Sequence, residues 1–300
     1  MKLSVVVPCY NEGESLEMFY DNLKKELEKQ KLSHEIILVD DGSSDDTMDK
    51  IIKITSKDKM VKAISFSRNF GKESAMFAGL EHAQGEYVAI MDADMQHTPE
   101  QLMLMYNKLL ESPTYDSVCS YKADRRDESP LKRTLTALFY RINNFISDVR
   151  LLPGASDFRV FKKEVCDAII SLKEKTRFLK GIFSWIGFNT IYVPYTPEKR
   201  TYGSTKWSLF KLLKYSIGGM VSFSTKPLKF IGVSSIILFI IGILNFIFMG
   251  NLSNRTIILF ISIAILYLGV IAIYISRIYS NILGRPNYIV RTKIGFNNKK

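Results

Sequence analysis

Cysteine is scarce in this chain. Three occur in 300 residues, Cys9, Cys119 and Cys166, far apart and without a CxxC pair. That pattern excludes a disulfide framework and a thiolate metal site, and the three histidines complete no ligand set with them. Reduced, mostly buried thiols in a cytoplasmic compartment are expected. Two phosphate-binding fingerprints are also missing: no GxGxxG follows the first apolar run, and GxxxxGK[ST] occurs nowhere. A Rossmann dinucleotide site and a P-loop therefore have no support. The opening MKLSVVVPCYNE meets Asn11 and Glu12 too soon for a secretory leader. Acid is in deficit, with 30 Asp and Glu against 41 Lys and Arg and a net charge of +11. Such an excess points to an anionic partner, whether nucleic acid, anionic lipid or a phosphorylated substrate.

Charge is absent altogether from two long runs, 230–249 and 256–276. Each has the ~20 apolar residues that a helix needs to cross a bilayer. The six residues between them, GNLSNR, allow only a tight hairpin. Lys206, Lys211, Lys214, Lys226 and Lys229 precede the first run; Arg277, Arg285, Arg291 and Lys293 follow the second. Positive flanks mark the cytoplasmic side. The expected organisation is a cytoplasmic domain over 1–200, a loop and juxtamembrane helix over 201–229, two spans within 230–276, and a basic cytoplasmic tail over 277–300. Basic residues gathered beside the spans favour anionic lipid over nucleic acid. Segments 130–149 and 205–224 both interleave apolar residues at helical spacing with Lys and Arg, the pattern of a helix lying in a headgroup layer or packing on a core.

The first 120 residues alternate. Apolar runs at 3–8, 35–40, 61–67, 87–92 and 117–121 read as strands, and 14–31, 45–58, 72–84 and 99–112 as amphipathic helices. Near-continuous apolar strands separated by such helices imply an α/β fold with a mostly parallel sheet covered on both faces. Ligands bind such sheets beyond the carboxyl ends of the strands. Those ends carry Pro8-Cys9-Tyr10-Asn11-Glu12, then Asp40-Asp41-Gly42-Ser43, then Ser67 to Lys72, then Asp92-Ala93-Asp94. Alternate residues of an extended chain face the same way, so Asp92 and Asp94 are expected to point together. Two converging carboxylates repel unless a cation or proton intervenes. Hard oxygen ligands suit Mg²⁺ or Mn²⁺, which keep open positions for substrate phosphates. Helix capping is the competing use for these acids, but Thr98 followed by Pro99 already supplies a cap.

VVVPCYNE, ILVDDGSSDDT, SRNFGKESAMFAGLEHAQGEYVAIMDADMQ and SDFRVFKK, in that order, resemble the family 2 glycosyltransferases of GT-A fold. The subgroup they resemble is the polyprenyl-phosphate glycosyltransferases, which include dolichyl-phosphate mannose synthase and the bactoprenol glucosyltransferases. The resemblance spans nearly the whole chain, including the two apolar runs and the tail residues Arg285, Pro286, Tyr288 and Val290. It implies inverting transfer of a hexose from a nucleotide diphosphate sugar, UDP-linked by likeness to the bacterial branch, to undecaprenyl phosphate. It implies Pro8, Tyr10, Asn11, Glu12, Asp40, Asp41 and Asp92 at the nucleotide, and Asp92, Asp94 and Gln96 at the metal and donor diphosphate. Asp157 and Arg159 would join Asp94 as catalytic residues near the sugar and the acceptor phosphate. Lys72, Arg125, Arg126, Arg200, Ser204 and Lys206 would bind diphosphate or acceptor, the last three from a mobile loop. A homo-oligomer such as a tetramer, a downstream flippase and a second glycosyltransferase are the implied partners.

The chain departs from the family in His97-Thr98-Pro99, where Asp-Pro-Pro is usual, in Lys122, Arg125 and Arg126, where an earlier arginine is common, and in Ser156, where glycine is common. Besides a transferase with another membrane acceptor, two rivals compete. A processive synthase would carry QxxRW, and no glutamine follows Gln101. An inactive nucleotide-sugar scaffold would not need Asp92, Asp94, Asp157, Arg159 and Lys206 together.

Overall fold

The structure, a computed structural model, describes residues 1–122, 130–172, 174, 178–196, 218–219, 221–249 and 254–296. The chain runs β1 (Leu3–Cys9), α1 (Gly13–Lys29), β2 (His34–Asp40), α2 (Thr47–Lys57), β3 (Val61–Phe66), α3 (Lys72–His82), β4 (Tyr87–Ile90), α4 (Pro99–Leu110) and β5 (Ser117–Lys122). It continues with α5 (Pro130–Ile146), β6 (Ala155–Lys162), α6 (Lys163–Ser171), α7 (Leu179–Trp185) and β7 (Thr190–Tyr195). Two long helices, Lys226–Met249 and Asn254–Ile282, precede a last strand, β8 (Val290–Ile294).

All eight strands form one sheet in the order β7-β5-β6-β4-β1-β2-β3-β8. The central four, β3-β2-β1-β4, are parallel. Val5, Val7 and Leu38 face a core closed by α1, α2 and α4, while Val6, Ile37 and Val39 face one closed by α3, α6 and α7. Burial on both faces explains why the strands read as continuous apolar runs. The chain steps outward from β1 to β2 to β3, then returns to place β4 on the other side of β1. The switch point of the sheet therefore lies between β1 and β4, where ligand crevices open in folds of this kind.

β6 runs antiparallel to β4, with Tyr87 opposite Lys162 and Ile90 opposite Arg159. Its first residues thus lie at the crevice edge, and extending that register by two places Asp157 opposite Asp92. β8 pairs antiparallel with β3, bringing residues 290–294 of the basic tail back onto the sheet edge. Tyr288 stacks on Phe66 at 4.7 Å between ring centroids and hydrogen-bonds Glu81. Lys293 contacts His82 at 2.8 Å. The tail is therefore part of the α/β domain's sheet, a pairing that its alternating charged residues do not announce.

The two long helices are apolar and long enough to cross a membrane, and almost none of the residues in their apolar stretches is buried within the protein. Their base is tied to the α/β domain. Ser224 Oγ donates to Ile146 O (2.6 Å), Asp148 N–H to Phe223 O (3.0 Å), and Tyr274 OH to Ser224 O (2.9 Å). The end of α5 and both long helices thus meet at one junction. Along α5, Leu135, Leu138, Ile142 and Phe145 form an outward stripe, with Phe145 82% exposed. The apolar face of this helix is therefore turned away from the core.

Candidate active site

Residues at the ends of β1, β2, β3, β4 and β6 converge on the switch point. The loop after β1 turns on Asn11, whose φ of 53° is left-handed. Asparagine tolerates this conformation better than most residues. Its N–H donates to Ser43 Oγ (3.0 Å) and its Oδ1 accepts from Ser44 N–H (2.8 Å). Glu12 N–H donates to Thr47 Oγ1 (2.9 Å), lacing the first two loops together. Tyr10 is 38% exposed above them, whereas Pro8 is buried inside β1 beside Val39.

Asp40 and Asp41 are buried and serve the scaffold. Asp40 accepts from Ser43 N–H (3.0 Å) and Ser65 Oγ (2.8 Å). Asp41 accepts from Phe70 N–H (2.7 Å) and Gly71 N–H (2.9 Å), fixing the turn that opens α3. Burial outweighs these donors and pushes the Asp41 carboxyl up to about 6. Gly42, at φ 66°, has no room for a side chain: a Cβ there would lie 2.4 Å from the Arg68 carbonyl carbon.

The strand before the paired acids is shorter than the sequence suggests. β4 ends at Ile90, and Asp92 and Asp94 stand in the turn beyond it, with Met95 at φ 60°. Strand alternation therefore does not set the directions of these acids. The turn sets them, with Asp94 Oδ1 accepting from Gln96 N–H (3.1 Å) before Thr98 Oγ1 caps α4 by accepting from Gln101 N–H.

Lys72, the first residue of α3, reaches across the crevice. Its ammonium lies 2.7 Å from Asp92 Oδ2 and 3.1 Å from Asp157 Oδ2. Burial opposes the charge, but Asp92 and Asp157 overcome it and hold the ammonium above its ordinary pKa. Lys180 of α7 stands 3.9 Å from Asp157 Oδ1. For Asp157, burial works upward, yet Lys180 and Lys72 hold the carboxyl well below the usual range. A carboxylate so stabilised is a weak base.

Beneath the acids lies His97, 4% exposed, with its ring against Phe158 (4.5 Å) and Tyr195 (4.3 Å). Burial lowers its pKa against the pull of Asp92 and Asp94, so the imidazole is neutral. Burial and the same acids push Tyr195 up to about 12. Arg159 is 3% exposed, and its guanidinium sits 4.2 Å from the Phe183 ring centroid. It lies under the sheet face covered by α7 and not in the open crevice. From there it contributes to the field on Asp157.

At the same edge of the sheet, a groove of about 510 Å³ opens between the end of β5 and α5. Tyr121, Lys122, Arg133, Tyr140, Arg141 and Asn144 line it. Asn144 fixes its floor by accepting from Leu151 N–H (2.9 Å) and donating to Leu151 O (3.1 Å). Arg125, Arg126, Arg200, Ser204 and Lys206 lie outside the described residues. The structure adds His97, Lys180, Tyr195, Arg133 and Arg141 to the residues expected at the site. His97 had a signal, its place directly after the DxD turn; Lys180 and Tyr195 had none, because they arrive from elements distant in sequence.

A mostly parallel sheet, covered by helices on both faces and carrying acids at its switch point, defines an α/β domain of GT-A form. A family model for glycosyl transferase family 2 matches residues 4–170. Relatives include the prophage bactoprenol glucosyl transferase homolog of Escherichia coli K12, 36% identical over 97% of this chain and 99% of that protein. The bactoprenol glucosyl transferase of Shigella phage SfV is 36% identical over 98% and 99%. The uncharacterized glycosyltransferase YkcC of Bacillus subtilis is 36% identical over 100% and 96%. Among solved structures, the chain is similar to glucosyl-3-phosphoglycerate synthase of Mycobacterium tuberculosis, crystallised with Mn²⁺, UDP and glucosyl-3-phosphoglycerate (TM-score 0.49, 20% identity, 73% and 77% covered). The chain belongs to glycosyl transferase family 2 and is a glycosyltransferase.

Proposed function

We propose that this chain transfers a hexose from a UDP-sugar to undecaprenyl phosphate at the cytoplasmic face of a membrane that its two long helices cross. The observation that carries this reading is a juxtaposition. The acid-lined crevice and a basic groove under α5 lie at the same edge of the sheet, and α5 is hydrogen-bonded to the base of both apolar helices. A soluble acceptor would require no such arrangement. A phosphate on an apolar tail would enter the groove at headgroup level, with the outward stripe of α5 in the same layer. Full-length likeness to proteins named bactoprenol glucosyl transferase agrees with a polyprenyl acceptor.

Asp92 and Asp94 present hard oxygen donors at the crevice, and among the described residues no third acid or histidine completes a closed cage. That donor set fits Mg²⁺ or Mn²⁺, whose remaining positions go to substrate phosphates and water. Once bound, such an ion would neutralise the leaving diphosphate. Tyr10, Asn11 and Glu12 would border the nucleotide, while Asp40 and Asp41, with both carboxylates already engaged, would hold the loops around it. Lys122, Arg133 and Arg141, with Arg125 and Arg126 of the adjoining segment, would hold the acceptor phosphate. Arg200, Ser204 and Lys206 would close over the diphosphate.

An acceptor phosphate oxygen then attacks the anomeric carbon as its bond to the nucleotide diphosphate breaks, inverting the configuration. A phosphate monoester has a second pKa near ~6, so it reaches the site largely deprotonated and needs no strong base. This suits Asp157, which is too acidic to take a proton readily and instead positions Lys72. The test is to incubate the purified chain with undecaprenyl phosphate, Mg²⁺ or Mn²⁺ and a panel of labelled sugar nucleotides, then extract into organic solvent. Label from a UDP-hexose in the lipid phase supports the reading. Label found only in free sugar or in a water-soluble acceptor refutes it.

A further inference from the structure

The cation expected at the paired acids has a competitor within the chain. The Lys72 ammonium already sits 2.7 Å from Asp92 Oδ2 and 3.1 Å from Asp157 Oδ2. A divalent ion taking Asp92 would meet a positive charge on the same oxygen, and like charges cannot share it cheaply. Lys72 is built to leave. Its side chain is 35% exposed, whereas Asp157 is 22% exposed and held by Lys180 as well. It follows Gly71, whose φ of 102° turns the chain into α3 and where an added Cβ would meet nothing within 4 Å. Four flexible carbons carry the ammonium, and a donor arriving with the ion brings a diphosphate to receive it.

We propose that Lys72 is an exchangeable counter-cation: it neutralises Asp92 and Asp157 in the empty site and passes to the donor diphosphate when a divalent ion takes Asp92. This rests on reading Asp92 and Asp94 as the ion's site. Asp157 keeps a cationic neighbour, Lys180, throughout the exchange. Ion and nucleotide are then coupled. The ion alone must displace an internal salt bridge, while ion and diphosphate together give every charge a new partner. Linkage makes the coupling reciprocal.

The experiment measures Mn²⁺ binding to the full-length chain in nanodiscs by electron paramagnetic resonance, without and with UDP. An opposite charge at this range is worth one to three pK units to a carboxylate, so removing it should strengthen Mn²⁺ binding to the nucleotide-free Lys72→Met chain about tenfold or more. The further gain on adding UDP should be smaller than in the wild type. Lys72→Arg, which keeps the charge, should bind Mn²⁺ as weakly as the wild type, and its circular dichroism reports folding independently. Equal or weaker nucleotide-free Mn²⁺ binding by Lys72→Met, with Asp94→Ala abolishing binding, overturns the exchange and leaves the ion site intact. Unchanged Mn²⁺ binding in Asp94→Ala overturns the ion site itself.

Discussion

Gly79 offers a quantitative test of how α3 is held against the sheet. A Cβ at this position would lie 2.2 Å from Val6 Cγ1 and 3.2 Å from Val6 Cβ and Cγ2. Carbon–carbon contacts are comfortable at ~3.5–4.0 Å, so the nearest is short by about 1.3 Å or more. Val6 cannot retreat, since it is fully buried and its strand is paired on both sides. The helix must lift. Gly79→Ala gains ~1 kcal/mol of helix propensity, but overpacking costs ~1–3 kcal/mol and is at its upper end here because the obstacle is a rigid β-branched side chain. The net expectation is a loss of about 1–2 kcal/mol, or roughly 2–8 °C in Tm. Lys72 lies seven residues away, about two turns along the same side of α3, so the lift also draws its ammonium from Asp92. An ångström of misplacement at a reacting centre can cost ~10²-fold in rate. Val6→Ala alone leaves a cavity, but in the double variant the new methyl fills it, and coupling of ~0.5–3 kcal/mol is expected. Thermal denaturation of the detergent-solubilised chain and initial transfer rates measure both effects. If Gly79→Ala melts at or above the wild-type temperature with full activity, the packing of α3 on β1 described here is wrong.

Thr98→Ala removes the cap of α4 and should cost about 1 kcal/mol in thermal stability while leaving Asp92 paired with Lys72; an unchanged Tm contradicts the capping role. Asp41 keeps a proton in the fold that the unfolded chain, with a carboxyl near ~3.9, has already released. Its contribution therefore falls as pH rises from about 4 to 6, by on the order of 2–3 kcal/mol, and Asp41→Asn should remove that slope from Tm against pH. Asp157→Asn should lower the transfer rate without deleting an acid limb of the pH–rate profile above pH 5, because the native carboxylate is already ionised there; loss of such a limb would make Asp157 a base.

The local parts of this molecule were legible in sequence, and the non-local parts were not. β1 and β2 announced themselves because both faces of each are buried, and α4 because Thr98-Pro99 spells its start. The DxD turn was visible as chemistry but misjudged as geometry, since the strand stops at Ile90 and a left-handed Met95 completes the turn. Asp157 stood out within SDFRVF, but its partnership with Asp92 depends on an antiparallel register that nothing local specifies. Lys180 and the lining of the basic groove come from α7 and α5, brought in by tertiary packing. β8 was read as basic tail because it is a short edge strand in which only Val290 and Ile294 pack inward, around the exposed Arg291 and Lys293.

The most direct measurement is glycolipid synthesis by the purified chain in liposomes containing undecaprenyl phosphate, before and after chelation of divalent ions. Transfer should stop on chelation and return when Mn²⁺ or Mg²⁺ is restored to the wild type, but not to Asp94→Ala. Synthesis that continues at full rate in the chelated sample would contradict the assignment of Asp92 and Asp94, and with it the role given to the crevice.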